Sequence, residues 1–198
     1  MWKSRMLATL ALAVLQPDDA WARSEEAGTG LSIGAKAGAA IPTSKLDATW
    51  LGAIDLSFRL PILGRHLAVA AEVSYLEPNE SGAGASQVAG DYDYDLDQRV
   101  LTISLDALAL VPVGRLTPYA GVGYGAYFLR AKMDAFSQEN TETQTRAGLQ
   151  LRGGLGYRLG PGDLVGEVRY HFVDLEFLST GSSNAGAVTV AGGYRFHF

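Results

Sequence analysis

A strict alternation of side-chain type along residues 143–159 constrains the fold more than any other feature of this chain. One parity carries Ala147, Leu149, Leu151, Gly153, Leu155, Tyr157 and Leu159, and the other carries Gln144, Arg146, Gly148, Gln150, Arg152, Gly154, Gly156 and Arg158. A period of two is typical of a β-strand between two different environments. If the apolar parity meets lipid, a one-residue slip would move three arginines into it. Each arginine near the midplane would cost about 2–4 kcal/mol. The pattern therefore predicts a strand in a firmly set register.

Seven further segments alternate in the same way. They are residues 31–41, 54–60, 67–75, 101–109, 118–131, 164–172 and 188–198. The segment 118–131 is the least regular, because Tyr119 and Tyr127 fall on the same parity as the inward glycines Gly121, Gly123 and Gly125. Together with residues 143–159, these segments predict eight β-strands.

The connections between the predicted strands alternate in length. Residues 61–65, 112–115 and 160–163 are brief Gly/Pro turns, residues 76–98, 132–142 and 175–186 are long and polar, and residues 42–49 are intermediate. Short turns at one end and long loops at the other are typical of outer-membrane barrels. The expected fold is all-β: an eight-stranded antiparallel up-and-down transmembrane β-barrel with short periplasmic turns and long extracellular loops.

The first 22 residues are typical of a secretory signal peptide. Lys3 and Arg5 form a positive start, an apolar run over residues 6–15 follows, and Ala20 and Ala22 supply the small residues of a cleavage site. Such a run covers only about 15 Å as a helix, against a hydrocarbon core of about 30 Å. We expect cleavage after Ala22, which leaves residues 23–198 as the barrel domain.

Composition excludes several classes of protein. The absence of cysteine excludes a disulfide scaffold, a thiolate metal site and a cysteine nucleophile. A formal net charge of −5 argues against nucleic-acid binding, which needs a basic footprint. The most apolar later stretch, residues 100–113, is too short for a membrane-spanning helix and contains Asp106. The chain beyond the signal peptide is therefore either an exported soluble protein or a membrane barrel.

Two stretches carry a resemblance to a known family. Residues 118–127 read PYAGVGYGAY, a Gly/Tyr-rich strand after a short turn, and residues 188–198 read VTVAGGYRFHF, with alternate aromatics and a terminal Phe. Over about residues 28–198 the chain resembles the small outer-membrane β-barrel family typified by OmpA, OmpX and OmpW. The resemblance implies the cell outer membrane as location, contact with outer-membrane lipid and lipopolysaccharide, and recognition of the closing strand by the barrel-assembly machinery. We expect a monomer, and no peptidoglycan-binding domain.

Charged residues on the predicted inner face are the first candidates for function. They are Lys36, Asp55, Arg59, Glu72, Asp106, Arg146, Arg152, Arg158, Glu167, Arg169, His171 and Arg195. An eight-stranded barrel is just wide enough inside for its own side chains, so these charges are expected to pair and plug the lumen. The alternative is a narrow pathway for ions or small solutes.

Several tyrosines lie near predicted strand ends, where an amphipathic ring sits well among lipid headgroups. These are Tyr75, Tyr119, Tyr157, Tyr170 and Tyr194. His197 belongs at the periplasmic end by strand order, and His66 is expected to be a solvated turn residue. The small residues Ser81 to Ser86 are expected to form a flexible loop tip.

Four alternating aspartates, Asp91, Asp93, Asp95 and Asp97, would share one face of a strand. Oxygen clusters suit Ca²⁺, but an EF-hand loop would need a Gly and a closing Glu that are missing here. The favoured interpretation is a strand that extends beyond the membrane with a solvated acidic edge. Cation binding by these aspartates stays open.

His171 lies near Glu167, Arg169 and Asp174 in the sequence, with Ser182 and Ser183 further on. Some small outer-membrane barrels modify lipid A with Ser, His and an acid near the outer rim. A triad is defined by geometry, and the His-x-Ser spacing of those enzymes is missing here. We expect no enzymatic activity, no cofactor, and no catalytic, cofactor-binding or metal residues.

A soluble lipocalin-like barrel is the alternative fold, with the apolar parity inside. The terminal Phe198, the alternation of turns and loops and the export signal favour the membrane barrel. The expected function is an outer-membrane protein with a structural or surface-interaction role and a charge-plugged lumen. A narrow channel is the first alternative, and a lipid A-modifying enzyme is the second.

Overall fold

The described part of the chain is built from antiparallel β-strands. The computed structural model describes residues 30–43, 47–62, 65–86, 90–135, 138–177, 181–184 and 186–198, so the predicted signal peptide lies outside it. The strands are β1 (Leu31–Pro42), β2 (Thr49–Arg59), β3 (Leu67–Leu76), β4 (Asn79–Ser86), β5 (Gly90–Leu110), β6 (Leu116–Ala135), β7 (Gln138–Leu159), β8 (Gly162–Phe172), β9 (Asp174–Phe177), β10 (Gly181–Asn184) and β11 (Ala187–His197).

Eight of these strands close into a barrel. The ring runs β1, β2, β3, β5, β6, β7, β8 and β11, and β11 pairs back onto β1. All these pairings are antiparallel, and closure leaves no free edge in the ring. The predicted eight-stranded antiparallel up-and-down barrel is confirmed.

The two ends of the barrel differ, as the connection lengths predicted. At the short-turn end, Gly114 and Gly160 each have a φ of 62°, a left-handed conformation that glycine adopts without a steric penalty. At the opposite end, which we call the hairpin end, β5, β6 and β7 continue well past the other barrel strands. No helix in the described part is long and apolar enough to span a membrane.

Three predicted loops contain strands instead. The loop predicted over residues 76–98 holds β4 paired with the first half of β5, so Ser81 to Ser86 belong to a strand and not to a loop tip. Residues 132–142 continue β6 and β7, and β9 pairs with β10 within residues 175–186. Pairing with a neighbouring strand satisfies backbone groups in water as well as in lipid, so the strands do not stop where their apolar faces stop.

The two faces of each strand meet different environments. On β5, Leu105 is 66% exposed while the next residue, Asp106, is 1% exposed; on β7, Leu151 is 51% exposed and Arg152 is 3% exposed. An outer surface of exposed Leu, Ile, Val and Phe around the ring is far larger than a water-soluble protein presents. This surface is the lipid-facing side of a membrane barrel, and the predicted registers are confirmed.

Candidate functional site in the barrel lumen

Charged side chains from seven of the eight barrel strands meet in the middle of the lumen. They are Lys36 on β1, Asp55 on β2, Glu72 on β3, Asp106 on β5, Arg152 on β7, Glu167 and Arg169 on β8 and Arg195 on β11. We call these eight residues the lumen belt. It holds four cations and four carboxylates, and the exposed fraction of each side chain is 7% or less. The belt is therefore buried and electrically neutral.

Arg169 holds two carboxylates at the centre of the belt. Its Nη1 donates to Glu72 Oε1 at 2.5 Å and its Nη2 donates to Glu72 Oε2 at 2.7 Å, a two-pronged contact. The same Nη2 lies 2.6 Å from Glu167 Oε1. Fork-to-carboxylate contacts of this kind are directional as well as strong, so they fix the position of β8 relative to β3.

Lys36 and Arg152 complete the surroundings of the same two carboxylates. Lys36 Nζ lies 2.5 Å from Glu72 and 3.1 Å from Glu167, and it is 3.5 Å from Asp55 Oδ1. Arg152 donates to Glu167 through Nε at 2.9 Å and also through Nη2. Three cations therefore contact Glu167. Because its side chain is only 3% exposed, water can hardly reach the carboxylate to replace them.

The remaining members tie the belt to the rest of the wall. Arg152 Nη1 donates to Asp106 Oδ2 at 2.9 Å, and Gln150 Nε2 donates to Asp106 Oδ1 at 2.6 Å. On the other side, Arg195 Nη2 lies 2.9 Å from Asp55 Oδ2. Every carboxylate of the belt therefore has at least one cationic partner.

Tyr119 on β6 belongs to this site and not to the membrane interface. Its hydroxyl donates to Glu167 Oε2 at 2.9 Å, and its ring lies 5.9 Å from the Arg152 guanidinium carbon and 5.8 Å from that of Arg195. Only 6% of Tyr119 is exposed, so the prediction that it is an interfacial tyrosine is wrong. A position near the start of a strand does not decide whether a side chain faces inwards or outwards. The outward-facing parities do hold the other four of these tyrosines, Tyr75, Tyr157, Tyr170 and Tyr194.

Glycines on neighbouring strands provide the space for these side chains. A Cβ at Gly123 would lie 1.9 Å from Asp106 Oδ1, and a Cβ at Gly154 would lie 2.4 Å from the Tyr119 ring. Neither contact is sterically possible without movement of the belt. The Gly-rich inner parity of β6 and β7 is therefore the counterpart of bulky charged side chains on adjacent strands.

Apolar side chains border the belt on both sides. Towards the short-turn end, Ala68, Ala70, Leu108, Leu110 and Val165 pack together with Tyr119. Towards the hairpin end, Val100, Tyr127, Leu129, Ala131 and Val173 form a second buried cluster. The low dielectric of these layers strengthens the electrostatic attraction within the belt and raises the cost of an unpaired charge there.

A smaller charged group lies near the short-turn end of the lumen. Asp163 Oδ2 is 2.8 Å from His197 Nε2, and Asp163 also pairs with Arg158 at 3.2 Å and with Arg59 at 3.8 Å. A Gly-Pro-Gly sequence precedes Asp163, and for that reason it was expected in a turn. Strand β8 in fact begins at Gly162, so Asp163 has the same inward parity as Glu167. That shared parity is the sequence signal that could have identified Asp163 as a lumen residue.

His171 contacts an aromatic and a hydroxyl side chain. Its Nδ1 is 3.0 Å from the Tyr127 hydroxyl and its Nε2 is 3.4 Å from Thr189 Oγ1. Its sequence neighbours Glu167 and Arg169 are members of the lumen belt. The side chains of Asp174, Ser182 and Ser183 lie outside the described residues, so the structure does not bring a Ser-His-acid group together in the part it describes.

The four alternating aspartates lie on the part of β5 that extends beyond the barrel ring. Asp97 is exposed and lies opposite Lys132 on β6. The side chains of Asp91, Asp93 and Asp95 are outside the described residues, so cation binding there stays a prediction. Among the described side chains, no three His, Asp or Glu gather as a metal site would require.

Comparison with known proteins identifies the family. A family model described as outer membrane protein beta-barrel domain matches residues 6–196. The chain belongs to this family. It is accordingly a protein of the cell outer membrane, and the short-turn end is the periplasmic end of the barrel. No curated protein matches the sequence.

Several solved structures are similar to this chain at low sequence identity. The Neisserial surface protein A (NspA) is 22% identical with a TM-score of 0.59, and the match covers 86% of this chain and 99% of that one. The N-terminal β-barrel domain of Pseudomonas aeruginosa OprF is 15% identical with a TM-score of 0.49, covering 85% and 99%. Ail of Yersinia pestis is 16% identical with a TM-score of 0.45, covering 84% and 96%.

Proposed function

We propose that this protein is a structural and surface-interaction barrel of the outer membrane whose lumen is closed to solutes. The lumen belt carries the proposal, because eight buried charges from seven strands fill the middle of the barrel and neutralise one another. A conducting pore needs a continuous aqueous path, and the belt side chains, each 7% exposed or less, leave almost no surface to line one. Function then lies on the outer surface and on the hairpin end.

The energetics of the belt support a permanent plug. Removing one partner of a buried ion pair costs about 3–5 kcal/mol, because the remaining charge is left without compensation. Opening the belt would separate several such pairs at once. The apolar clusters on both sides exclude the water that would otherwise solvate the separated charges.

Planar-bilayer recording on refolded protein tests this proposal. We expect the unmodified protein to insert without sustained current. A variant with both Arg152→Ala and Glu167→Ala keeps the belt balanced at three cations and three carboxylates but removes the bulk of two side chains, and we expect it to conduct. Heat-modifiable mobility on a gel shows in each case that the barrel is folded.

The competing function, a narrow channel for ions or small solutes, gives the opposite result in the same recording. Reproducible, long-lived openings of the unmodified protein would overturn the plug. The two-residue variant serves as the control for insertion, because its current shows that refolded protein reaches the bilayer under the same conditions, and the gel assay shows that both proteins had folded.

We further propose that the protein is not an enzyme. His171 is engaged by Tyr127 and Thr189, which leaves it within a hydrogen-bonded wall and not beside a nucleophile among the described residues. Incubation with lipopolysaccharide followed by mass analysis of its acyl chains tests this. Acyl-chain change that is lost in His171→Ala would contradict it.

Assembly through the closing strand is the remaining part of the proposal. Phe196 near the end of β11 and Phe198 just after it are 38% and 55% exposed, and their ring centroids are 5.1 Å apart. Exposed aromatics at the end of the final strand offer a defined surface for the barrel-assembly machinery. We expect Phe198→Ala to slow insertion in vesicles that contain that machinery, and to leave spontaneous refolding in detergent unchanged.

A further inference from the structure

The outward-facing side of β5, β6 and β7 changes character abruptly towards the hairpin end. Residues directly opposite one another on the three strands form rows. Three successive rows, moving outward, are Ile103–Ala126–Ala147, then Leu101–Phe128–Thr145, then Arg99–Arg130–Thr143. The first two rows are largely apolar and the third is cationic. We call this third row the interface row.

The interface row lies at the level of the lipid headgroups. Tyr75 on β3 is opposite Leu101, which places it with Phe128 in an aromatic row, and Trp50 packs on Tyr75 with ring centroids 5.8 Å apart. Aromatic girdles mark the membrane–water interface of outer-membrane barrels. The interface row is two residues further out, about 7 Å beyond the girdle.

Arg99 and Arg130 form a like-charge pair. They are directly opposite each other on adjacent antiparallel strands, where Cβ atoms are about 5 Å apart and like charges are destabilising. Both are exposed, and the Arg130 side chain has no hydrogen bond or ion pair with any described residue. Arg99 has one carboxylate partner, since its Nε lies 3.0 Å from Glu77 Oε1.

The Glu77 contact orients Arg99 without neutralising the pair. It occupies one of the five N–H groups of the guanidinium, and the Arg99 side chain remains 64% exposed. Glu77 is held in turn by the Tyr75 hydroxyl. Among the described residues these two guanidinium groups have Glu77, a partner of Arg99, as their one carboxylate, so a net positive charge remains at the interface, next to the exposed hydroxyl-bearing Thr143.

We propose that the interface row binds a phosphate group of lipopolysaccharide in the outer leaflet. A phosphate accepts paired N–H donors from arginine forks, so one phosphate bridging Arg99 and Arg130 turns a repulsive pair into a binding site. The acyl chains then lie along the apolar surface of Leu101, Ile103 and Leu105. The next row outward places Asp97 opposite Lys132, one anion and one cation, so that row carries no excess charge of its own.

This inference rests on the proposed surface-interaction function and names its ligand. Its test is independent of the conductance test, because the interface row faces lipid and the belt faces the lumen. If the protein neither conducts nor binds lipopolysaccharide through Arg99 and Arg130, the plugged lumen is supported and this inference is contradicted.

Titration of refolded residues 23–198 in zwitterionic micelles with lipopolysaccharide tests the site. Trp50 is the only tryptophan in that span, and its contact with Tyr75 makes its fluorescence a local reporter. We expect saturable binding that falls at least about tenfold in the double variant Arg99→Gln/Arg130→Gln, since each lost charge-assisted contact is worth about that factor. The matched control, Arg65→Gln/Arg115→Gln, removes two charges at the periplasmic end and should bind like the unmodified protein.

Two further probes distinguish the source of the phosphate. The unmodified protein should bind enzymatically dephosphorylated lipopolysaccharide as weakly as the double variant binds intact lipopolysaccharide. Phosphatidylglycerol should fail to displace lipopolysaccharide at equal concentration. Equal displacement would assign the site to phospholipid and overturn the proposal, as would an affinity of the double variant within about twofold of the unmodified protein.

Discussion

Two charged regions of this barrel differ in whether the protein itself supplies the counter-charges. In the lumen belt, four cations and four carboxylates lie side by side, and a single cation such as Arg169 contacts two carboxylates. In the interface row, Arg99 and Arg130 lie opposite each other with Glu77 as their one carboxylate neighbour among the described residues. The two regions share β5 and β7, but the belt side chains point into the lumen, whereas the interface row faces outwards and lies nearer the hairpin end.

The difference shows where each charge finds its counter-charge. A charge inside the barrel is shielded from water and from lipid, so the protein itself must supply every partner. A charge at the membrane interface faces water and anionic headgroups, so the protein can leave it uncompensated at little cost to folding. Substitutions in the two regions should therefore affect different measurements.

The largest expected loss of stability comes from the belt. Glu167→Gln leaves Lys36, Arg152 and Arg169 around a neutral amide, and we expect the free energy of unfolding in vesicles to fall by about 3–5 kcal/mol. Glu77→Gln is the matched control, because its side chain is 38% exposed and partners an interface arginine. A loss of similar size in both variants would contradict the distinction between the two regions.

A smaller loss is expected where a glycine makes room for the belt. In Gly154→Ala the new methyl group would meet the Tyr119 ring at 2.4 Å and displace the hydroxyl that holds Glu167, so we expect a loss of about 1–3 kcal/mol. Gly166→Ala is the control on the neighbouring strand, since a methyl group added there would point to the exposed outer face with nothing within 4 Å of it. Urea unfolding of both variants compares them, and equal stability would show that the lumen is loosely packed.

The smallest effect on stability is expected in the interface row. Without lipopolysaccharide, Arg99→Gln/Arg130→Gln should change the free energy of unfolding by no more than about 0.5 kcal/mol, with any change towards stabilisation because the like-charge pair is removed. Unfolding in detergent micelles measures it. A clear destabilisation would mean that the two arginines have structural partners and that the row is part of the fold.

Much of this architecture is predictable from the sequence because a barrel repeats one rule. Period-two alternation identifies the strands and places Arg146, Arg152 and Arg158 on one face. The terminal Phe198, the alternation of turns and loops and the export signal favour a membrane barrel, in which that face is inside. The inward placement of the belt residues then follows from their parity.

Parity does not reveal which side chains meet across the lumen. Contacts such as Lys36 with Glu167 depend on strand stagger, which shifts the height of each residue and is not encoded in any one segment. Tyr119 was misplaced because its position near the start of a strand suits either parity, and Asp163 was missed because a turn sequence conceals the start of β8. The alternating aspartates did predict that β5 extends beyond the membrane, but the extension of β6 and β7 was hidden because polar residues on paired strands resemble a loop in composition.

A double-mutant cycle on Arg169 and Glu72 tests most directly whether the lumen charges neutralise one another. Their two-pronged contact is buried, with side-chain exposures of 4% and 2%. We expect Arg169→Met and Glu72→Gln each to lower the free energy of unfolding by about 3 kcal/mol, and the double variant to lose at least about 1.5 kcal/mol less than the two losses combined. Losses that add to within about 0.5 kcal/mol would contradict the neutral, interlocked belt.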